Sequence, residues 1–219
     1  LSNVLRLRIL NFILTSFMTY GVIALLVIFQ PELRRALEQL GSSTFTKMFG
    51  MDKSLRDKTK EDIYKVAIAT QELAKTKTGA LIVFERDIKI QDIIETGVEI
   101  NSVVSPQLLV NIFVPNTPLH DGAVVIANNQ IVSAACILPL TDDKEMARGL
   151  GTRHRAAIGI SKESDAVVVV VSEETGKVSI AKDGTLIADV SEDALKRILM
   201  KHLVTARFGS EERTTRMSK

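Results

Sequence analysis

The feature that most constrains the fold is a continuous apolar run, AVVVVVS, at 166–172. Its side chains are apolar at both odd and even positions, whereas a strand with one face in water alternates apolar and polar residues. A strand of this kind must be covered on both faces. The sequence therefore predicts an α/β or α+β architecture, in which a central mixed β-sheet is flanked by helices.

Patterns before this run supply other elements of the sheet. Helical spacing of apolar residues predicts a helix over 61–77, with Thr59 as its N-cap. A strand is predicted at 80–85, after the glycine that stops this helix. A Ser-Pro pair then begins a helix over 105–113, because proline is favoured in the first turn.

Hairpins are predicted on both sides of the central strand. Residues 124–137 read as two strands joined by an Asn-Asn turn at 128–129. Residues 177–190 are predicted to pair with the central strand and to turn back through Asp-Gly at 183–184. Ser191 is then predicted to cap a last helix.

The N-terminal segment has a different character. No charge occurs between Arg8 and Glu32, and residues 12–29 are 18 predominantly apolar residues. At about 1.5 Å per residue such a helix nearly crosses the roughly 30 Å hydrocarbon core of a bilayer. A signal peptide and a buried core helix are the alternatives. No small-residue cleavage site follows, and Pro31 instead begins an amphipathic stretch, which favours a transmembrane helix.

These observations predict four regions. They are a transmembrane segment at 1–30, a juxtamembrane helix and linker at 31–60, a folded domain at 61–208 and a polar tail at 209–219. Because the chain begins with leucine and has apolar residues from its start, we expect the first region to be the end of a longer membrane region.

Composition limits the functional classes. Cys136 is the only cysteine, which excludes an internal disulfide and multi-cysteine metal centres. Residues 51–219 carry 23 Lys and Arg against 24 Asp and Glu. A protein that binds nucleic acid through its phosphates usually has a basic face, so no nucleic-acid partner is expected. The common nucleotide-loop, zinc and serine-hydrolase motifs are also missing from the sequence.

One segment has the composition of a phosphate site. In GLGTRHR, at 149–155, Thr152 is predicted to N-cap a helix, and Arg153 and Arg155 add two guanidinium groups near its start. Free backbone N–H groups, the positive end of a helix dipole and arginines together favour bound phosphate. The alternative is a solvated basic turn that pairs with the acidic run TDDKE.

Two further segments place polar residues beside predicted strands. In LHDGA, at 119–123, Asp-Gly is foremost a turn signal, and an isolated histidine is usually structural. Gly122 and Ala123 are small enough to let a ligand lie on the backbone. In SEE, at 172–174, Glu174 is a candidate metal ligand, although paired glutamates in a hairpin loop are usually only solvated.

Taken together, the motifs resemble a known family. DGA at 121–123 and RHR at 153–155, with GALIVFE upstream and VSEE downstream, are similar to the diadenylate cyclase domain of the bacterial cyclic di-AMP synthases. The span followed directly by this domain resembles the membrane-bound CdaA class. The likeness covers roughly residues 30–210.

The resemblance implies a nucleotidyltransferase that condenses two ATP molecules into cyclic di-AMP with loss of two pyrophosphates. It implies that Asp121 orients or deprotonates the 3′-hydroxyl, with close backbone contact at Gly122 and Ala123. It implies that His120 and Glu174 hold Mn²⁺ or Mg²⁺ with the phosphates. The phosphate-binding residues that it implies are Gly122, Thr152, Arg153, His154, Arg155 and Ser172.

The implied reaction also predicts partners and location. Since one site binds one ATP, two identical domains must face each other as a homodimer or within a higher homo-oligomer. Because ATP is cytosolic, the domain is expected on the cytoplasmic side of a bacterial cell membrane, where a membrane-associated regulatory protein is a further expected partner. Two alternatives stay open: a membrane-anchored, non-catalytic ATP-binding sensor, and a structural membrane adaptor whose DGA and RHR are only turns.

Overall fold

The computed structural model describes residues 52–141 and 149–205, together with Met18, Tyr20 and Gly21. The rest of the predicted transmembrane segment, the region from 31 to 51 and the polar tail lie outside the described residues. Within the described ranges, no helix is long and apolar enough to cross a bilayer. The chain divides into two units at residue 53, and the second unit is described below.

The second unit is built on a seven-stranded mixed sheet. In chain order the strands are β1 (Ala80–Phe84), β2 (Val98–Val103), β3 (Ala123–Ala127), β4 (Gln130–Cys136), β5 (Val167–Val171), β6 (Val178–Lys182) and β7 (Thr185–Ile187). Their spatial order is β2-β4-β3-β1-β5-β6-β7. Strand β1 runs parallel to β3, and all other neighbours are antiparallel. Every residue of β5 is buried, so the prediction from the apolar run is confirmed.

Five α-helices cover the two faces of this sheet. They are α1 (Asp52–Lys75), α2 (Gln91–Ile94), α3 (Pro106–Ile112), α4 (Thr152–Glu163) and α5 (Glu192–Leu199), which continues as a π-helical segment, Met200–Thr205. Helices α1, α3 and α5 pack on one face. Helices α4 and α2 pack on the other, which we call the α4 face. The predicted central mixed sheet flanked by helices is confirmed.

Local signals fixed several element ends as predicted. The Ser105 hydroxyl accepts a hydrogen bond from the Leu108 amide at 3.2 Å, and the Ser191 hydroxyl accepts one from the Ala194 amide at 3.4 Å. Both serines are therefore N-caps. The turn between β3 and β4 has φ of 50° and 63° at its two asparagines, as expected for a two-residue hairpin.

Two predicted caps are wrong. Helix α1 begins at Asp52, nine residues before the predicted start, so Thr59 is internal and its hydroxyl donates to the Leu55 carbonyl at 2.9 Å. Residues 52–60 were assigned to a linker because they are polar, but lysine, arginine and leucine are good helix formers. At α4 the N-cap is Gly151, and Thr152 is the first helical residue.

The strand directions bring three chain segments to one edge of the sheet. Ala80 lies opposite Val171, and Ile82 lies opposite Val124. The starts of β1 and β3 therefore share an edge with the end of β5. When the pairing of β1 with β3 and with β5 is continued to position 79, Asp121 falls beside Gly79 on the β3 side and Ser172 on the β5 side. We call this the Gly79 edge.

Candidate functional site

The Gly79 edge collects the polar segments that the sequence singles out. Neighbouring strands lie about 4.8 Å apart, so Asp121 and Ser172, on either side of Gly79, are about 10 Å apart. Side chains alternate between faces along a strand. Leu81, Ala123 and Val170 pack on the α4 face, so β1, β3 and β5 each present alternate residues to α4. The HDGA segment precedes β3 and the SEE segment follows β5, so both adjoin the sheet at the Gly79 edge.

Arg153 connects α4 to this edge. Its Nη1 lies 2.5 Å from Oε2 of Glu173, and the arginine side chain is only 20% exposed. The ion pair lies directly on Gly79, where a β-carbon would be 2.7 Å from Nη1 of Arg153 and 2.9 Å from Oε2 of Glu173. The RHR and SEE segments therefore touch each other and the start of β1.

The start of α4 offers donors that the described residues do not fill. Its N-cap, Gly151, makes no side-chain capping bond, and the first amides of a helix have no partner within it. Nε of Arg155 is buried and has no hydrogen-bond partner in the described part of the chain. An anion placed at this helix start would meet the free backbone amides.

The charge of Glu174 acts on His154 across the same junction. Burial lowers the pKa of His154, because the charged imidazolium loses solvation, and the charge of Glu174 opposes this shift. The imidazole is therefore neutral near pH 7. Glu174 itself is exposed, in the turn that follows β5.

His120 is held in one tautomer. Its Nδ1 lies 2.6 Å from the Thr117 carbonyl oxygen, and a carbonyl only accepts, so Nδ1 carries the proton. In the neutral ring this leaves Nε2 with a free lone pair, as in metal-ligating histidines. Asp121, the next residue, is exposed and directly precedes the turn into β3.

The small residues after Asp121 have a packing role. Gly122 has φ of +128°, and a β-carbon there would be 2.6 Å from the Ala135 carbonyl carbon in β4. Ala123 is fully buried in the core on the α4 face. Close approach of β3 and β4 thus accounts for the glycine, and burial for the small size of the alanine; backbone contact of both residues with a ligand stays a prediction.

Two residues of this edge were not assigned a role from the sequence. Gly79 was interpreted only as a helix stop, and Glu173 as a solvated loop residue. Their contact with Arg153 depends on the pairing of β1 with β5 and on the packing of α4. Such a contact cannot be predicted from neighbouring residues. The only signal in the sequence is that both residues belong to the SEE and GALIVFE segments of the family resemblance.

A separate cavity of about 30 Å³ lies at the opposite edge of the sheet. There Asp62 accepts a hydrogen bond from Nδ2 of Asn129 at 2.8 Å, and burial raises the Asp62 pKa. Asn129 also bonds to Thr59, Glu85 and Arg86 bond to residues outside the lining, and Nε of Arg86 has no partner among the described residues. Its lining residues are Thr59, Asp62, Phe84, Glu85, Arg86, Ile126, Asn128, Asn129 and Leu203.

Known proteins share this sequence and fold. Residues 67–186 match the model of the DAC family, described as the DisA bacterial checkpoint controller nucleotide-binding domain. A diadenylate cyclase from Listeria monocytogenes is 48% identical over 205 residues, which are 94% of this chain and 74% of the relative. The cyclic di-AMP synthase CdaA from Bacillus subtilis is 49% identical over 90% of this chain and 72% of its own length.

Two solved structures are similar to this chain in both sequence and fold. A double mutant of DacA from Staphylococcus aureus superposes with a TM-score of 0.64 at 48% identity, covering 65% of this chain and 95% of that one. A hypothetical membrane spanning protein from Bacillus cereus has a TM-score of 0.57 at 51% identity, covering 58% of this chain and 63% of that one.

Proposed function

Because the chain belongs to the diadenylate cyclase family, we propose that it condenses two molecules of ATP into cyclic di-AMP and releases two pyrophosphates. The observation that carries the proposal is the contact of the RHR and SEE segments over Gly79, at the edge of the sheet where β3 also begins, directly after the HDGA segment. A carboxylate, unfilled N–H donors and arginines at one edge of a sheet suit one bound nucleoside triphosphate.

The main role of the protein in this reaction is to position charged groups. Each 3′-hydroxyl oxygen forms a bond to the α-phosphorus of the other nucleotide, and the bond to pyrophosphate breaks. Alignment and charge neutralisation supply most of the rate in such phosphoryl chemistry. We assign Asp121 to the hydroxyl, which it orients and whose proton it accepts, because its carboxylate is exposed at the edge.

The phosphates are assigned to the start of α4. Its uncapped amides are donors suited to a triphosphate, and we assign Arg155, whose buried Nε has no partner in the described part of the chain, to the same phosphates. Arg153, Thr152 and His154 belong to the same turn, and Ser172 flanks them from the end of β5. Gly122 contributes through its backbone, since the space of a side chain is taken by β4.

The site residues fit a divalent cation that is shared with the nucleotide. Within 52–141 and 149–205, no three His, Cys, Asp or Glu residues form a metal-binding group. Mg²⁺ is commonly held by one or two carboxylates together with substrate phosphates, and imidazole is an acceptable ligand of Mn²⁺. Glu174 and Nε2 of His120 are the proposed protein ligands. When bound, the ion would offset phosphate charge.

The product requires two nucleotides that react in opposite directions. Each site has one helix start and one Asp121, so we propose that two domains face each other across a twofold axis and that each supplies one ATP. A single domain would then bind ATP without forming product.

We propose the domain layout and location on the same basis. Residues 1–30 anchor the chain in the cell membrane, 31–60 lead from this anchor through the first turns of α1, and the catalytic domain of 61–208 faces the cytoplasm, where ATP is available. A relative of known structure is called a membrane spanning protein, which supports this arrangement. The anchor would also bring facing domains together and make a membrane-associated regulatory protein a plausible partner.

Incubation of the full chain with ATP and Mn²⁺, followed by chromatography, tests the proposal. We expect cyclic di-AMP and pyrophosphate in a ratio of one to two from the wild type. Asp121→Asn should bind ATP and form no product. Asp193→Asn, at an exposed aspartate in the first turn of α5, is the control and should be fully active.

Other outcomes would identify the alternatives. ATP binding by the wild type without product, even at high protein concentration, would indicate a nucleotide sensor. A melting temperature that ATP does not change, with no product, would indicate a structural adaptor. Loss of product on adding EDTA, restored by excess Mn²⁺, is expected from the proposed metal site.

A further inference from the structure

The ion pair of Arg153 and Glu173 packs against a glycine at the start of β1. Its two charged groups lie over the backbone of Gly79, within 3 Å of where a β-carbon would be. The arginine is mostly buried, whereas the side chain of Glu173 is 61% exposed. A largely solvated carboxylate thus contacts a guanidinium group that is mostly shielded from solvent.

We propose that Gly79 and Glu173 are positioning residues that hold Arg153 for the triphosphate. This inference rests on the proposed function, since it concerns how the phosphate site is prepared for ATP. Glu173 fixes the guanidinium group from the solvent side. Gly79 supplies the space beneath it.

Free donors on the guanidinium group make this role compatible with phosphate binding. Arg153 has five N–H donors, and Glu173 engages one nitrogen at 2.5 Å. Within the part of the chain that the structure describes, no second side-chain partner is seen, so the other donors remain for phosphate oxygens. An arginine that is already ordered loses less rotamer freedom when a ligand binds, so its preparation strengthens binding without a new contact.

Gly79 makes the proposal testable without a change of charge. Its φ lies outside the positive region, so alanine can adopt the same backbone conformation. The atoms that an added β-carbon would meet are side-chain ends of Arg153 and Glu173. Gly79→Ala should therefore shift these two groups and leave the strands in place.

The opposite role for Glu173 is a competitor. A carboxylate bound to Arg153 would then occupy the place of a phosphate, and its removal would strengthen ATP binding. The exposure of Glu173 favours positioning, because a solvated carboxylate can keep its contact while phosphate binds the remaining donors. If Glu173 positions Arg153, its removal raises the Kd of ATP; if Glu173 competes with phosphate, its removal lowers this Kd.

The test compares full-length wild type, Glu173→Gln and Gly79→Ala. We measure the Kd of ATP by titration and the kcat and KM of cyclic di-AMP formation. Each variant should raise Kd and KM about tenfold, with a smaller fall in kcat, because ordering of one arginine mainly affects phosphate binding. Glu61→Gln is the matched control: it breaks an exposed pair with Lys65 at 2.7 Å and should change nothing.

A double-mutant cycle separates positioning from a general structural effect. In an Arg153→Lys background the guanidinium fork is missing, so Gly79→Ala and Glu173→Gln should each have less than a twofold further effect. A full additional tenfold loss would overturn the inference. Unchanged or tighter ATP binding by Glu173→Gln would also overturn it. A wild type that makes no cyclic di-AMP would instead contradict the proposed function.

Discussion

Gly122→Ala should destabilise the domain strongly, and the structure allows the size of the effect to be worked out. At φ of +128° a residue with a side chain is strained by about 1–3 kcal/mol. The added β-carbon would also lie 2.6 Å from the Ala135 carbonyl carbon, and overpacking of a rigid site costs about 1–3 kcal/mol. The free energy of unfolding should therefore fall by about 2–6 kcal/mol. For a domain of this size that lowers Tm by at least about 5 °C.

Gly79→Ala is the matched control in this experiment. Its added β-carbon comes equally close to other atoms, at 2.7 Å, but those atoms end the flexible side chain of Arg153. Gly79 is itself buried, but the atoms in the way can move, so we expect a smaller loss than for Gly122→Ala. Thermal unfolding by circular dichroism measures both variants without nucleotide. Equal melting temperatures for wild type and Gly122→Ala would refute the explanation of Gly122 by contact between β3 and β4.

Three further changes test the fold. Asp62→Asn should raise the free energy of unfolding at pH 7, because burial raises the Asp62 pKa and makes ionisation of this carboxyl group unfavourable. The gain in stability should shrink as pH falls through the folded pKa toward the ordinary value of 3.8. Chemical denaturation at several pH values measures it. Ser191→Ala removes the cap on the Ala194 amide and should cost about 0.5–2 kcal/mol in urea unfolding. Val169→Ala, at a 1% exposed position in β5, should cost about 2–3 kcal/mol with an unchanged m-value.

The sequence predicted those parts of the fold that depend on neighbouring residues. The apolar run of β5, the asparagine turn between β3 and β4, and the capping serines act within a few residues. Each has a physical reason to fix its own local structure, and all are found. Together with the alternation of strand and helix patterns, they were sufficient to give the mixed sheet and its covering helices.

Other features depend on residues that are far apart in the chain. A polar helix start has no apolar periodicity, so the first turns of α1 were assigned to a linker. The choice of Thr152 as N-cap followed general residue preference, but the capping position falls one residue earlier, at Gly151. The contact of Gly79 with Arg153 crosses 74 positions of sequence and follows only from packing.

The candidate site therefore depends on strand direction more than on any single motif. Because β1 is parallel to β3 and antiparallel to β5, the residues before β1 and β3 and those after β5 share an edge. Reversal of β3 alone would move Asp121 to the far edge, where the Asp62 cavity lies. A shift of one residue would turn the side chains of β3 to the opposite face of the sheet, since the faces alternate along a strand. The motifs supply the chemical groups, and the direction and register of three strands bring these groups to one nucleotide.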